Sequence, residues 1–422
     1  MLSRARPDDL PLGGIDIFHL RTDDELRHHW GERNSCAIFA ELDGRIDLRE
    51  LDRRLERGPD GLRWSLHRTL RTPYCWRPGT LPPRVTVRAL GSASPLEAAV
   101  EALRVPVDER RPFHVVVLRG KTHDAVALVW FHAITDARGA TRVLDGLGRD
   151  LPPPRAPFLT SDRLLAKLEG EARRQLTTSY IDHAFGLGRR PILSLESTTT
   201  SRPGPQHAIR WRLSTTETEA FEASLRARAG LADTSLVLWA TSRLLDRIMA
   251  ARGFCPPRQV VPVPVSLDPK RGCERLFGNH LTMMLLALER EELDDEGTAV
   301  QSLARQRREV IRGKLDVGMI TAMRSTAWMP WPVVNHLSRR PFAGERSSYV
   351  LSNPGELPLT ELFGAPVIDA VAMPTVPSPG LMVTTDRFAA RRSVLFSYRE
   401  GILPAHELRA QLPDFKHDLL GS

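Results

Sequence analysis

Two apolar runs, residues 113–118 (FHVVVL) and 125–131 (AVALVWF), flank a turn-forming stretch at 120–124. Runs this short and this uniformly apolar read as a buried hairpin, and the rest of the chain is organised around it. The second run stops abruptly at His132, Ala133, Ile134, Thr135 and Asp136. Residues 140–151 then carry Val143, Leu144, Leu147 and Leu151 at helical spacing. His132 is therefore expected at a strand end just before a helix. Rigid elements on both sides would hold its imidazole in one orientation, as a general base requires.

The chain of 422 residues exceeds the usual size of one hydrophobic core, so two lobes are the starting expectation. A formal charge of +8 raises nucleic acid, membrane surfaces and acidic substrates as partners. The positive charge is nearly all arginine, scattered rather than striped, with lysine only at 121, 167, 270, 314 and 416. Aromatic residues are too few and dispersed for base stacking, so nucleic-acid binding is not expected. Cys36, Cys75, Cys255 and Cys273 lie far apart without metal-ligand spacing, which points to packed thiols and to no zinc site or disulfide framework. The adjacent His28 and His29 have no ligand partner at metal spacing and are read as exposed helix residues. No apolar signal core and no run of about 18 apolar residues occurs, so a cytoplasmic, non-spanning protein is expected.

Along the chain, residues 15–20 alternate like a strand and 23–30 like a helix. Residues 35–42, 62–67 and 84–89 read as strands, and 48–57 and 94–103 as helices, the latter capped by Ser94 with Glu97. Residues 161–180 are predicted as a long amphipathic helix. The stretch 186–206 has glycine, proline and threonine but no periodicity, and serves as the linker. The expected division is thus a first lobe at 1–190, a linker at 191–206 and a second lobe at 207–422. In the second lobe 208–213 reads as a strand, Ser214 with Glu217 starts a helix, and 235–251 is a buried helix. Pro262 and Pro264 demote 260–267 to an edge or irregular segment. Residues 277–288 form a buried strand, 298–313 a basic amphipathic helix, and 349–352 a short strand ending in the turn Asn353-Pro354-Gly355. Strands at 367–373, 381–385 and 393–398 precede a closing helix at 405–412.

His132 and Asp136 form an HxxxD pattern, which by itself is unspecific. Taken with the strand end, with Phe277-Gly278-Asn279 and with Ser352-Asn353-Pro354-Gly355, it resembles the chloramphenicol acetyltransferase-like superfamily of CoA-dependent acyltransferases. That superfamily includes nonribosomal peptide condensation domains, wax ester synthases and polyketide-associated acyltransferases. Its HHxxxDG motif falls on residues 131–137, with Phe131 in place of the first His, Ala137 in place of the Gly, and Gly139 close behind.

The resemblance implies an α/β fold of two similar lobes, each a mixed sheet covered by helices, with an active-site tunnel at their interface. It implies His132 as the catalytic base and Asp136, with Gly139, as a structural motif, Asp136 bracing the loop through an arginine. Many relatives place that arginine just after a VPVSL-like segment, where this chain has Asp268; Lys270 or Arg271 are the nearest substitutes. Asn279, Ser352, Asn353 and the backbone at Gly278 are the candidate oxyanion or substrate-binding groups, although turn formation explains Asn353 equally well. His280 is a second, weaker base candidate, its plainer reading being a polar residue at a strand start.

The implied activity is transfer of an acyl group from acyl-CoA or an acyl carrier protein to a hydroxyl or amine, in natural-product or lipid biosynthesis. No tightly bound cofactor or metal is expected, the acyl-CoA or phosphopantetheine thioester being a co-substrate. The basic surface would suit an acidic acyl or peptidyl carrier protein. The alternatives are a stand-alone condensation enzyme that depends on a carrier protein and a catalytically silent, condensation-like binding module.

Overall fold

In the computed structural model, which describes residues 6–69, 73–91, 94–154, 158–227, 233–268 and 275–421, the hairpin occupies the middle of a six-stranded sheet. Lys270, Arg271 and Cys273 lie outside the described residues. Phe113–Arg119 pairs antiparallel with Asp124–Phe131, which pairs in turn with Ser35–Leu42. Every residue of Asp124–Phe131 is buried, because the strand has neighbours on both edges and apolar layers on both faces. Arg84–Ala89 runs parallel along one side of the hairpin, and Ala365–Pro374, from beyond the 191–206 connection, pairs with Ser35–Leu42 on the other.

A second sheet has the order Val350–Glu356, Leu381–Phe388, Arg391–Arg399, Gln206–Arg212, its first pair parallel and the others antiparallel. The helices Asp233–Ala251 and Ala405–Leu420 cover it, with Leu244 and Ile248 sharing a core with Phe396 and Phe415. A separate core surrounds the first sheet, so among the described residues the mixed α/β architecture has two large hydrophobic clusters, with two smaller ones beside them.

Between them runs a two-stranded ribbon, Arg258–Ser266 against Leu281–Glu289. Of the two alternatives for 260–267, the edge strand is the one observed, regular in spite of Pro262 and Pro264. The physical reason is parity. Val260 turns its N–H and C=O away from the ribbon partner, onto Ser348. Pro262 and Pro264 share that orientation, so their missing N–H groups cost no ribbon hydrogen bond.

Two other expectations are corrected. Residues 15–20 are not a strand but the start of the first helix, Gly14–Trp30, whose opening turns are buried nearly all round and so lack a one-sided pattern. Gly14 makes that contact possible, since a Cβ there would lie 2.1 Å from the Ile320 carbonyl. Residues 161–180 are not one helix either. A 3-10 turn at Ser161–Leu165 precedes the helix Gly170–Leu187, which runs into the expected linker before it stops.

Candidate active site

The sheet delivers His132 to a 3-10 turn, His132–Ile134, directly followed by the helix Ala137–Arg149. The turn is tied from several sides. The His132 N–H donates to Asn34 O (2.9 Å), Trp130 Nε1 to Thr135 O (2.8 Å), and the Gly278 N–H to Ile134 O (2.7 Å). Parallel bridge pairing of Thr135 with Gly278 stitches this loop to the second half of the chain.

The imidazole is only partly exposed, and its Nδ1 is enclosed without a well-formed hydrogen bond. The groups that favour its protonation are its own carbonyl, Asp136, the Asn279 side chain and the Thr135 backbone. Burial outweighs them and pulls the pKa of His132 below its ordinary value, so the ring is neutral at physiological pH.

A second histidine lies flat on the first. The ring of His19, from the first helix, stacks on His132 with centroids 3.6 Å apart and planes 12° from parallel. Burial, and then repulsion from His132, hold His19 well below its ordinary pKa. Three residues earlier, Asp16 is completely buried. Its Oδ1 accepts from the Asn279 N–H and Nδ2 (both 2.8 Å), and Oδ2 accepts from Gly13 (2.8 Å). Asn279 Nδ2 also donates to the His132 carbonyl at 3.0 Å. A chain of hydrogen bonds therefore runs from Asp16 through Asn279 to the backbone of His132. Asn279 is turned away from the position an oxyanion donor needs, because both its N–H donors are committed to this chain.

Asp136 faces away from the imidazole. Its Oδ1 accepts from the Gly139 N–H (3.1 Å) and caps the helix Ala137–Arg149, while Oδ2 accepts from Arg275 Nη2 at 2.7 Å. Gly139 is required by closeness, since a Cβ would sit 2.0 Å from Thr135 Oγ1. Among the described residues, Arg275 is the arginine that meets Asp136. Its Nε and Nη2 fork onto the two oxygens of Asp268 at 2.8 and 2.9 Å, and Nη1 donates to Gly278 O at 2.9 Å. Asp268, where relatives are expected to carry the arginine, thus becomes one of its acceptors. His280 is buried in the same network, with Nδ1 2.8 Å from Asp268 Oδ1, and does not reach the cavity.

The cavity, about 610 Å³, opens beside His132 and His19 and is walled by both halves of the chain. Its lining is mainly apolar: Phe18 and Tyr180 from helices, Met283 and Leu285 from the ribbon, Met319 and Met323 from the helix Leu315–Ser325. Pro262 and Pro264 line it where their strand edge is open. Ser352 and Asn353 also reach it. The Asn353 amide is engaged, Oδ1 accepting from the Gly355 N–H (3.0 Å) and Nδ2 donating to Thr234 Oγ1 (3.3 Å). The Ser352 hydroxyl remains a donor at the wall.

This arrangement has known counterparts. The first condensation domain of the calcium-dependent antibiotic synthetase, in complex with a substrate analogue, superposes with a TM-score of 0.71 at 15% identity, covering 99% of this chain and 96% of that one. The chain has the condensation-domain fold. A mutant starter condensation domain of rhizomide synthetase, in complex with C8-CoA and Leu-SNAC, shares it with a TM-score of 0.66 at 14% identity over 98% and 94% of the two chains. The trichothecene 15-O-acetyltransferase of Fusarium sporotrichioides does so with a TM-score of 0.69 at 12% identity over 97% and 95%. No family model matches the sequence, and no curated protein matches it. On this condensation fold, Asp16, His19 and Arg275 were missed by sequence reasoning. Read as a strand, Asp16 and His19 point to opposite faces; on a helix, three apart, they share one. Among the described residues no helix is long and apolar enough to cross a membrane.

Proposed function

We propose that the chain is an acyltransferase that moves an acyl group from a thioester to a hydroxyl or amine, with His132 as the general base. The observation that carries this reading is the neutral imidazole at the wall of a largely apolar cavity between two lobes of a condensation fold. Nε2 takes the proton of the acceptor as its oxygen or nitrogen attacks the thioester carbonyl. The tetrahedral intermediate collapses with cleavage of the C–S bond, and the imidazolium returns the proton to the departing thiolate. No acyl-enzyme is required. Of Asn279, Ser352 and Asn353, the Ser352 hydroxyl is the donor this reading assigns to the oxyanion, since the two amides are engaged elsewhere.

One neighbour carries C8-CoA and another is a condensation domain of the calcium-dependent antibiotic synthetase, so both free CoA and carrier-bound donors belong in the test. A panel of acyl-CoAs and acyl-loaded carrier proteins, followed by release of free thiol in the presence of alcohols and amines, tests the proposal. His132→Ala is expected to lower the rate by about 10²- to 10⁴-fold while leaving the melting curve in place. Turnover undiminished in that variant would remove His132 from the mechanism. A thioester bound tightly but never turned over by the wild type would instead favour a silent binding module.

A further inference from the structure

A histidine's ring torsion is intrinsically broad, and a general base is ordinarily held by an acceptor at its second ring nitrogen. In this site Asp136 is turned to Arg275 and Gly139, and Nδ1 of His132 is enclosed without a well-formed hydrogen bond. What meets the imidazole instead is the face of His19, 3.6 Å away and 12° from parallel, a separation too small for the base to turn through. His19 is itself fixed. The Asn34 amide donates to its carbonyl at 2.9 Å while the Asn34 carbonyl accepts from the His132 N–H at 2.9 Å, so one residue ties both backbones. On the other side Asp16, three residues before His19, reaches the His132 carbonyl through Asn279. Phe18 meets the His19 ring edge-on, with centroids 5.2 Å apart. Both imidazoles border the apolar cavity, and His19 is only 7% exposed.

We propose that His19 is a positioning residue for the base: its ring holds the plane of His132 and lies face-on to the positive charge that His132 carries between taking the acceptor's proton and returning it to the thiolate. The assignment rests on the acyl-transfer reading and adds a second residue to that site. A π face attracts a cation lying over it, and more strongly where water is excluded. That attraction requires His19 to stay uncharged. Burial and the neighbouring His132 both oppose its protonation. Of the acidic groups on and around the first helix, Asp16 turns to Asn279, Asp23 to Arg33, Glu25 to Arg339, Asp136 to Arg275, Asp162 to Arg324 and Asp316 to the Val317 N–H. Among the described residues His132 is thus the titratable group that faces His19, and the pair takes one proton, on the base.

Two variants test the proposal, His19→Leu, which removes the aromatic face, and His19→Phe, which keeps it. In histidine-labelled protein His132 is followed by the NMR signal of its Cε1–H, assigned as the resonance lost in His132→Ala. In His19→Leu that signal is expected to move downfield as the ring current of the stack disappears, and its protonation midpoint to fall to lower pH. In His19→Phe both return towards the wild-type values. The kcat for thiol release is expected to drop about 3- to 30-fold in His19→Leu, and His19→Phe to recover most of that loss. A kcat unmoved in His19→Leu, or a midpoint that rises, overturns the role. A loss in His19→Phe as deep as that of His132→Ala does the same, since His19 would then act through its own nitrogen. Should melting curves show that His19→Leu does not fold, His19→Gln takes its place. The NMR changes without thiol release from any donor would retire the acyl-transfer reading alone; thiol release lost in His132→Ala and intact in His19→Leu would retire the role of His19 alone.

Discussion

Asp16 is the residue whose chemistry is least like its surroundings. Burial pushes its carboxyl up to about 7, against the opposing pull of the Asn279 and Gly13 N–H donors. A folded-state pKa above the unfolded value means that folding retains a proton there, so stability from this group is fully present below about 3.9 and is lost as pH rises through about 7. Asp16→Asn removes the titration. The melting temperature of the variant relative to wild type should therefore increase from pH 5 to pH 8, as differential scanning calorimetry would show. A difference independent of pH would mean that Asp16 is ionised throughout. At this scale the sequence was informative about His132 and Asp136 because their spacing is local. It was silent about the stack of His19, because a ring 113 positions away is brought there only by the first helix packing against the His132 turn.

Among the elements, the loop that joins the ribbon to the His132 turn depends on Arg275. Its side chain is 2% exposed and is shared by Asp136 and Asp268, themselves buried. Arg275→Met takes from the buried Asp136 carboxylate the cation it meets at 2.7 Å, a change expected to cost about 3–5 kcal/mol in denaturant unfolding. A loss below about 1 kcal/mol would show that the brace is dispensable. The hairpin, the ribbon partner and the capped helices were legible because each carries its own period, or its own capping box at Ser94 and Ser214. Elements buried on all sides were not. The first turns of Gly14–Trp30 present an alternation that local rules misassign, and packing from distant segments decides them, whereas the prolines of Arg258–Ser266 marked it as the edge strand it is.

Over the whole molecule the two sheets are also clasped behind the cavity wall formed by Thr375 and Pro377. Arg399, on the second sheet, is 1% exposed, grips Glu32 at the end of the first helix with bonds of 2.9 and 2.6 Å, and donates to Val376 O. Its guanidinium lies 4.0 Å from the centroid of Trp30. Arg399→Ala is expected to lower unfolding free energy by about 2–4 kcal/mol and to broaden the transition as the lobes lose their coupling. An unchanged transition would place the coupling elsewhere, at the bridges of Thr135 with Gly278 and Phe158 with Phe277. Two lobes were expected from length, but the strand Ala365–Pro374 that completes the first sheet could not be assigned to it by any local pattern.

The central claim is that this junction holds a neutral histidine ready to accept a proton. The most direct measurement is the pH dependence of kcat/KM for thiol release, in wild type and His132→Ala. Because burial depresses the His132 pKa, the wild-type rate should persist as pH falls past 6.5 and decline only below it, and that limb should be missing from the slower variant. A limb above 6.5, or the same limb surviving in His132→Ala, would contradict the account.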